Sequence, residues 1–406
     1  MTRIFQDKHI ILGVTGSIAC YKAADLASKL SQAGAIVDVI LTQGAEKFVS
    51  SLTFQSVTGR KAFTENDLWG GQAHVLHVGL GHTADLLVIA PCTANTIAKL
   101  AGGIANNLLT ITALAAECPI LIAPAMDAGM YSHPATHENV SILAKRGIQF
   151  AGPGEGRMAS GLIGLGRMLE PEDLFGHIRK VLGKNGSLSG RQVVVTAGGT
   201  QEPIDPVRYI SNRSSGKQGY SLAQAAIDEG ATVTLISTPT ALHPPIGAIF
   251  IKVQTAQEML KAVLDNLAGK DALIMAAAVA DFKPQISSNK KIKKRDGFPP
   301  LMLEPTVDIL AALNSKENSA QRPRVLVGFA AESQDLFNNA REKLQSKNLD
   351  MIAANDISAS DSGFSVDNNK VTLLYPDGNS KELPLQSKAE IAEAIISSIA
   401  GMMGDH

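Results

Sequence analysis

The sequence predicts an α/β protein of two successive doubly wound domains, each with a mostly parallel sheet covered by helices on both faces. Apolar runs of strand length alternate with helical patterns, which indicates right-handed crossovers and parallel strands. The alternation stops after Leu182 at a Gly- and Ser-rich stretch and then starts again. A chain of 406 residues is also too long for one ordinary core. We therefore expect domains over residues 1–182 and 191–406, joined by a linker over residues 183–190.

Ten short apolar runs have the length and composition of buried strands. Those in the first half are residues 9–14, 36–41, 86–90, 120–123 and 148–150. Helical patterns such as residues 19–32 separate them. Those in the second half are residues 192–196, 232–236, 272–275, 325–329 and 351–353.

Three segments depart from this alternation. Residues 152–168 hold six glycines around Arg157, Ser160 and Arg167, a composition that predicts a mobile lid. Residues 282–300 include the basic run 290–295 and predict a second flexible, polar excursion. Residues 370–378 are typical of an edge strand that enters a turn.

The composition excludes several classes of partner. A formal net charge of −1 and an aromatic content of 4% give no global field and no stacking platform for nucleic acid or an acidic membrane. The three cysteines lie far apart, which indicates reduced thiols and no Cys-x-x-Cys metal site. The N-terminus lacks an apolar signal core, and no run approaches the roughly 18 apolar residues of a membrane helix. We expect a cytoplasmic protein whose phosphate-binding sites are local.

One local site is predicted in residues 205–219, which crowd cations, hydroxyls, an amide and two glycines between an apolar strand and an apolar helix. This position is the carboxyl end of a parallel strand, where open α/β sheets bind ligands. Backbone amides at the start of the helix favour phosphate there.

A second glycine turn follows the first strand, at residues 13–19. The dinucleotide fingerprint Gly-x-Gly-x-x-Gly and the Walker A motif are absent, and the second strand ends in Leu41-Thr42 without an acidic residue for a ribose. The turn favours a mononucleotide such as a flavin phosphate over NAD or ATP. The alternative is a turn that serves packing alone.

His77 precedes the strand at residues 86–90. Histidine can act as a base near neutral pH, although an isolated histidine is also typical of a surface or capping position. Its context includes Ala-Pro-Cys-Thr-Ala-Asn at 90–95, Pro-Ala-Met-Asp-Ala-Gly-Met at 124–130, and the end of the glycine-rich segment at 164–168.

These residues together resemble the flavin-dependent cysteine decarboxylases, a family that includes phosphopantothenoylcysteine decarboxylase. The resemblance implies a flavoprotein-type domain with FMN, which oxidises a cysteine side chain to a thioaldehyde that then loses carbon dioxide. By position, it implies that His77 is the active-site base. It places four residues around the flavin: Gly16, Ser17, Thr42 and Met126.

Two further catalytic positions depart from the family pattern. Asp127 stands where the motif usually reads Pro-x-Met-Asn, and Ser160 stands where the lid usually carries a proton-donating cysteine. An aspartate facing a substrate carboxylate repels it unless it is protonated or paired. Serine is a far weaker acid than a thiol. We expect an active decarboxylase that handles these two steps differently.

The second half carries a carboxylate just beyond a strand, Asp281, and the basic run nine residues later. Such a run is also typical of a solvated or nucleic-acid-binding surface. Lys343 and Lys347 are four residues apart on one predicted helix face, where like charges are mildly destabilising. A bound polyphosphate explains the pair, and a solvated face is the alternative.

Five stretches of the second half resemble phosphopantothenate–cysteine ligases: residues 196–208, 210–216, 278–281, 291–294 and 327–332. The resemblance spans residues 190–400 and implies a Rossmann-like ligase domain. Its reaction joins 4′-phosphopantothenate and cysteine, with CTP forming an acyl-CMP and with Mg²⁺ held mainly on phosphates.

By position, Lys291 contacts the nucleotide and its reacting phosphate, while Asn212 holds the acyl-cytidylate and Arg208 supports it. Residues 306–309 read Thr-Val-Asp-Ile in place of the usual Asn-Pro-Asp-Ile, which makes this loop's conformation uncertain. The expected nucleotide contacts are Met275, Ala276, Ala277, Asp281, Lys291, Val307, Asp308, Ile309, Leu310, Phe329, Lys343 and Lys347.

With both halves included, the chain resembles the bifunctional bacterial enzymes of coenzyme A biosynthesis. This resemblance implies a homo-oligomer with trimeric flavin domains and dimeric ligase domains, and hence a dodecamer. Two alternatives stay open: a non-catalytic flavoprotein, and a ligase whose first half is an oligomerisation or regulatory module.

Overall fold

The computed structural model describes residues 3–68, 76–293, 300–332, 336–356 and 368–404. The chain divides into two compact units, Met1–Leu182 and Gly183–His406. The expected linker lies at the start of the second unit, where Leu188 is fully buried in the core and its amide donates to the Glu229 carbonyl. None of the helices in the described ranges has the length and apolar character that a membrane span requires.

The first unit is built on a parallel six-stranded sheet of order β3-β2-β1-β4-β5-β6. Its strands are β1 (His9–Val14), β2 (Ile36–Leu41), β3 (Ala62–Phe63), β4 (Leu86–Cys92), β5 (Ile120–Pro124) and β6 (Gln149–Phe150), with an antiparallel hairpin of β7 (Gly154–Arg157) and β8 (Ile163–Arg167). Its helices are α1 (Cys20–Gln32), α2 (Ser51–Thr58), α3 (Leu76–Thr83), α4 (Ala94–Gly102), α5 (Leu108–Ala115), α6 (Ala128–Tyr131), α7 (Pro134–Lys145) and α8 (Pro171–Gly183).

Alternate side chains of β1 enter different cores. Ile10, Leu12 and Val14 pack among residues of α1 and α8, whereas Ile11 packs with residues of α3, α4, α5 and α7. A strand covered on both faces reads as a continuous apolar run, which is why the sequence indicated a parallel sheet. The strand order reverses between β1 and β4, so the crevice at their carboxyl ends is the expected ligand site.

The second unit is built on an eight-stranded sheet of order β13-β12-β9-β14-β17-β18-β19-β20. Its strands are β9 (Gln192–Ala197), β10 (Gln201–Pro203), β11 (Tyr209–Ser211), β12 (Thr232–Ser237), β13 (Ile249–Lys252), β14 (Ala272–Met275), β15 (Phe282–Pro284), β16 (Leu303–Pro305), β17 (Val325–Glu332), β18 (Met351–Asp356), β19 (Asn368–Leu374) and β20 (Ser380–Ser387). Its helices are α9 (Lys217–Asp228), α10 (Ala256–Leu267), α11 (Ile309–Leu313), α12 (Leu336–Ser346) and α13 (Lys388–Gly404).

The six strands from β13 to β18 are parallel, while β19 and β20 continue the sheet in antiparallel pairs. Helices α9 and α13 contribute to one core, and α10, α11 and α12 contribute to another. Here the strand order reverses between β9 and β14, which again predicts a ligand site at their carboxyl ends.

The predicted α/β class is confirmed, and each of the ten predicted buried strands begins within one residue of the observed one. Three expectations about the departing segments need correction. The glycine-rich residues 152–168 form a paired hairpin, β7–β8. Residues 282–284 pair with 303–305, while residues 294–299 of the basic excursion lie outside the described residues. Strand β19 is an interior strand, because β20 pairs along its other side.

Gly219, in the first turn of α9, allows this helix to approach the end of β9. A Cβ at this position would come within 2.5 Å of the Ala197 Cβ and 2.9 Å of the Thr196 carbonyl oxygen. We expect Gly219→Ala to lower the free energy of unfolding of the second unit by about 1–3 kcal/mol, since overpacking forces the backbone to shift. Urea unfolding of the full chain, with a probe in each unit, measures this.

Gly401→Ala is the matched control, because the added Cβ in α13 meets nothing within 4 Å. It should raise stability by roughly 0.5 kcal/mol, as expected for Ala replacing Gly in a helix. Equal stability of Gly219→Ala and the parent would show that α9 moves away from β9 at no cost.

Candidate active sites

In the first unit, the loops after β1 and β2 touch at two glycines. A Cβ on Gly16 would lie 2.9 Å from the Gly44 carbonyl carbon. The Thr42 hydroxyl donates to the Val14 carbonyl at 3.3 Å, and the Ser17 hydroxyl accepts from the Ala19 amide at 3.3 Å. The crossing therefore brings backbone groups together with the half-buried Ser17 and the buried Thr42 near the start of α1, an arrangement that suits a phosphate.

The loop after β5 carries Met126 and Asp127, and strand β8 of the hairpin lies directly on it. The Met126 amide donates to the Gly166 carbonyl at 2.9 Å. A Cβ on Gly166 would come within 2.3 Å of the Met126 carbonyl oxygen, and one on Gly164 within 2.9 Å of the Ala128 Cβ. The glycines of the predicted lid thus permit close docking on the β5 loop.

The two positions that depart from the family pattern are in contact. The Ser160 hydroxyl donates to Asp127 Oδ2 at 2.6 Å, and the Gly129 amide donates to Asp127 Oδ1 at 2.9 Å. These hydrogen bonds, that from Ser160 first, lower the pKa of Asp127 below its usual value. Asp127 is therefore ionised at neutral pH, and because both donors are uncharged, its negative charge is not neutralised.

His77 is the second residue of α3, a crossover helix that runs antiparallel to the strands, so its position is at the carboxyl edge of the sheet. The ring is half-buried, and its Nδ1 atom is buried without a hydrogen-bond partner. In the described part of the chain, no hydrogen bond joins His77 to Met126, Asp127 or Ser160. A buried, unsatisfied ring nitrogen fits a group that bonds a ligand.

A cavity of about 610 Å³ opens at the carboxyl edge of the second unit. All predicted ligase residues except Arg208 and Lys291 line it. They are Asn212, Met275, Ala276, Ala277, Asp281, Val307, Asp308, Ile309, Leu310, Phe329, Lys343 and Lys347.

Buried threonines hold the loop that follows β14. The Thr196 hydroxyl accepts from the Ala277 amide at 3.1 Å, and the Thr200 hydroxyl accepts from the Ala280 amide at 2.9 Å. The Asn212 side-chain amide donates to the Val279 carbonyl at 2.9 Å. Asn212 is thereby fixed against the loop at residues 275–281, beside the predicted nucleotide contacts.

Both lysines of α12 have partners in the structure. The Lys343 ammonium donates to the Phe329 carbonyl at 2.9 Å, and the Lys347 ammonium donates to Asp308 Oδ2 at 2.6 Å. Burial raises the pKa of Asp308, but hydrogen bonds from Lys347 and the Ala311 amide outweigh it and lower that pKa. The Asp308 carboxylate thus offsets the repulsion between Lys343 and Lys347. A bound polyphosphate is therefore not needed to explain why two lysines stand four residues apart on this helix.

Arg208 lies in the loop between β10 and β11. Its guanidinium donates to Asp205 Oδ2 at 3.0 Å from Nε and to the Ile292 carbonyl at 2.9 Å from Nη2. Lys291, which directly precedes Ile292, is exposed. The structure therefore connects Arg208 to the basic segment that carries Lys291, and neither of these two residues is among those that line the cavity.

Sequence reasoning missed three polar residues that also line the cavity, Asn355, Asn369 and Lys388, whereas Gln218 belongs to the predicted site at residues 205–219. Asn355 lies near the end of a parallel strand, a position that could have drawn attention to it. Its Oδ1 atom is buried without a hydrogen-bond partner. Lys388 begins α13 and reaches the cavity only because β19 and β20 return the chain to this edge, so no local signal identifies it.

Comparisons with known proteins match both halves of the chain. Residues 2–183 match the flavoprotein family, and residues 188–403 match the DNA/pantothenate metabolism flavoprotein C-terminal domain. The coenzyme A biosynthesis bifunctional protein CoaBC of Bacillus subtilis (strain 168) is 46% identical over 402 residues, which cover 98% of each chain. That of Vibrio vulnificus (strain YJ016) is 42% identical over 399 residues, again 98% of each chain.

Among solved structures, the C-terminal domain of a coenzyme A biosynthesis bifunctional protein CoaBC is 39% identical, covering 54% of this chain and all of that one, with a TM-score of 0.47. The identity to both of these relatives is above 40% and extends over nearly the full length of each pair of chains. It therefore covers both halves of this chain, in the same order. The chain therefore belongs to the family of bifunctional coenzyme A biosynthesis proteins, with a flavoprotein domain followed by a pantothenate-metabolism domain.

Proposed function

We propose that the chain ligates cysteine to 4′-phosphopantothenate through an acyl-CMP made from CTP, and then decarboxylates the product to 4′-phosphopantetheine with FMN. The observation that carries the ligase half is the cavity of about 610 Å³, on which the predicted residues converge from distant parts of the sequence. The decarboxylase half is supported by the flavoprotein match and by the contact of the hairpin with the β5 loop.

In the ligase reaction, the protein has to neutralise a triphosphate and an anionic acyl donor. Lys343 and Lys347 line the cavity, Lys347 with its charge shared with Asp308, and we expect Lys291 to add positive charge from the basic segment. Asn212 is placed to hold the acyl-cytidylate, and Arg208 supports it. Mg²⁺ is expected mainly on the phosphates; among the described residues, no cluster of His, Cys, Asp or Glu is arranged to hold a metal.

In the decarboxylation, FMN supplies the electron acceptor that converts the cysteine side chain into a thioaldehyde. The residues present fit this group, because Gly16, Ser17 and Thr42 form a small-residue cradle and His77 has an unsatisfied ring nitrogen. His77 takes the proton released from the substrate. Met126 and Asp127 lie on the loop that the hairpin covers, where Ser160 and its bound carboxylate replace the usual thiol and amide.

We expect Asp127→Asn to lower KM for phosphopantothenoylcysteine about fivefold. The reason is that two charges 4 Å apart in water repel by about 1 kcal/mol, and asparagine removes the charge that faces the substrate carboxylate. Steady-state kinetics with a carbon dioxide readout measures the change.

The product, 4′-phosphopantetheine, is a matched control ligand because it lacks that carboxylate. Its inhibition constant should be the same in both proteins. An equal shift for substrate and product would indicate a general change in the site and contradict charge repulsion.

We propose a homo-oligomer with trimeric flavin domains and dimeric ligase domains. Exposed large apolar side chains in each unit support association, as such surfaces often mark interfaces. Examples are Ile18, Leu52 and Leu114 in the first unit and Tyr209, Ile286 and Met302 in the second. Mass measurement of the full chain and of each half tests this arrangement.

One reaction mixture tests the whole proposal. The purified chain receives 4′-phosphopantothenate, cysteine, CTP and Mg²⁺, and both phosphopantothenoylcysteine and phosphopantetheine are quantified. The unusual pair of Asp127 and Ser160 favours a ligase-only enzyme as the second candidate. That enzyme would accumulate phosphopantothenoylcysteine without releasing carbon dioxide, and a non-catalytic flavoprotein would form neither compound.

A further inference from the structure

The carboxylate of Asp205 is fully buried and accepts hydrogen bonds from two separate segments of the second unit. From its own loop, it accepts from the amides of Val207 at 2.9 Å and Arg208 at 2.8 Å, and from the Arg208 guanidinium. From the basic segment, it accepts from the Ile292 amide at 3.1 Å. One carboxylate therefore joins the β10–β11 loop to residues 84 or more positions away in sequence.

Both backbone groups of Ile292 are held by this loop. The amide donates to Asp205, and the carbonyl accepts from Arg208 Nη2 at 2.9 Å. A further bond, from the Ser288 amide to the Ile204 carbonyl at 2.9 Å, fixes the same segment four residues earlier. Lys291 lies between these attachment points, so its backbone is constrained on both sides although its side chain is exposed.

Asp205, Arg208 and Ile292 are here called the clasp. The Arg208 guanidinium holds the pKa of Asp205 far below its usual range, although burial opposes this. A depressed pKa stabilises the folded state above the unfolded value of about 3.9, and this stabilisation is lost as the pH falls toward the folded value. The Asp205 carboxylate is therefore ionised at neutral pH, where the enzyme would work.

We propose that Asp205 is a positioning residue for nucleotide activation: through the clasp, it holds Lys291 where the lysine meets the reacting phosphate. This inference rests on the proposed role of Lys291. A flexible lysine on an unattached segment would have to be ordered during each turnover, whereas a preplaced charge stabilises the transition state without that reorganisation. Arg208 bonds both Asp205 and Ile292, so part of its effect on catalysis comes from holding Lys291 in position.

The test is a double-mutant cycle in the full-length protein, with CTP-dependent pyrophosphate release as the readout. We expect Asp205→Asn to lower kcat about 10²-fold, the effect that a misplacement of 1 Å can have, with a much smaller change in KM for CTP. In a Lys291→Ala background, the same substitution should change kcat less than about twofold, because residues that act as a unit are not additive.

Asp271→Asn is the matched control. Its carboxylate also accepts from a backbone amide, that of Gln192 at 2.7 Å, and from an arginine, Arg191 at 3.2 Å, but it lies at the opposite edge of the sheet. Pyrophosphate release should be unchanged in this variant. Carbon dioxide release from added phosphopantothenoylcysteine, which depends on the first unit, checks each preparation.

Asp205→Glu carries the same test if Asp205→Asn does not fold, because glutamate keeps the charge but its longer side chain displaces the carboxylate from the Ile292 amide. The inference would be wrong if a folded clasp variant kept the parent kcat, or if the clasp substitution lowered kcat as much in the Lys291→Ala background as in the parent. Either result would leave the proposed role of Lys291 intact. Normal pyrophosphate release by Lys291→Ala itself would overturn the role of Lys291 and the inference together.

Discussion

Lys291→Ala is expected to reduce CTP-dependent pyrophosphate release about 10²–10³-fold, the loss typical for removing one group that stabilises transition-state charge. The lysine is exposed, and the clasp holds the residue that follows it. Its ammonium is therefore available to the reacting phosphate, whereas Lys343 and Lys347 already bond to protein oxygens. Rapid-quench analysis of pyrophosphate and acyl-CMP measures the activation step directly.

Lys290→Ala is the matched control for this prediction. Lys290 is also exposed and next in sequence, and its described hydrogen bonds with Ser288 use its backbone groups. Because solvent and salt screen the exposed Lys290 ammonium, its removal should change pyrophosphate release little. Equal losses in the two variants would mean that the basic segment acts only through its total charge, which contradicts a specific role for Lys291.

His77→Asn should reduce decarboxylation by about 10²–10⁴-fold, the contribution typical of a positioned general base. Asparagine is similar in size but cannot take up a proton near neutral pH. Single-turnover release of carbon dioxide from phosphopantothenoylcysteine, normalised to bound FMN, measures the effect. Normal ligation by the same preparation would show that the second unit is intact.

His82→Asn provides the comparison on the same helix. His82 is exposed and lies 3.7 Å from Glu117, so its loss should leave carbon dioxide release unchanged. If His77→Asn retains the parent rate, the histidine is not the base; if it loses FMN and activity in parallel, the histidine supports binding rather than proton transfer.

The fold could be predicted because its causes are local. Parallel strands buried on both faces require apolar runs, and β1 and β9 are mostly apolar and are buried at every position after the first. The hairpin β7–β8 could not be predicted in the same way. Its strands are rich in glycine, and their pairing depends on docking against the β5 loop at Gly164 and Gly166.

In the candidate sites too, the sequence predicts some features and only the structure shows the others. The resemblance named 12 of the 27 residues that line the cavity, because its motifs follow successive strands and the carboxyl ends of parallel strands meet at one edge. The catalytic roles of His77, Asp127, Ser160, Asn212, Arg208 and Lys291 stay predictions. For Arg208, the structure adds contacts with Asp205 and Ile292 that no motif indicates.

The sequence by itself determined the alternation of strands and helices, the two-part organisation and the family, since these depend on local apolar pattern and on motifs in order. Only the tertiary structure decided that Ser160 binds Asp127, that Asp205 joins the β10–β11 loop to the segment carrying Lys291, and that Lys388 lines the cavity. The physical reason is that each of these contacts links positions more than 30 residues apart. Such contacts depend on how the sheet edges and loops meet in space, and a hydrogen bond requires that geometry to within a few tenths of an ångström.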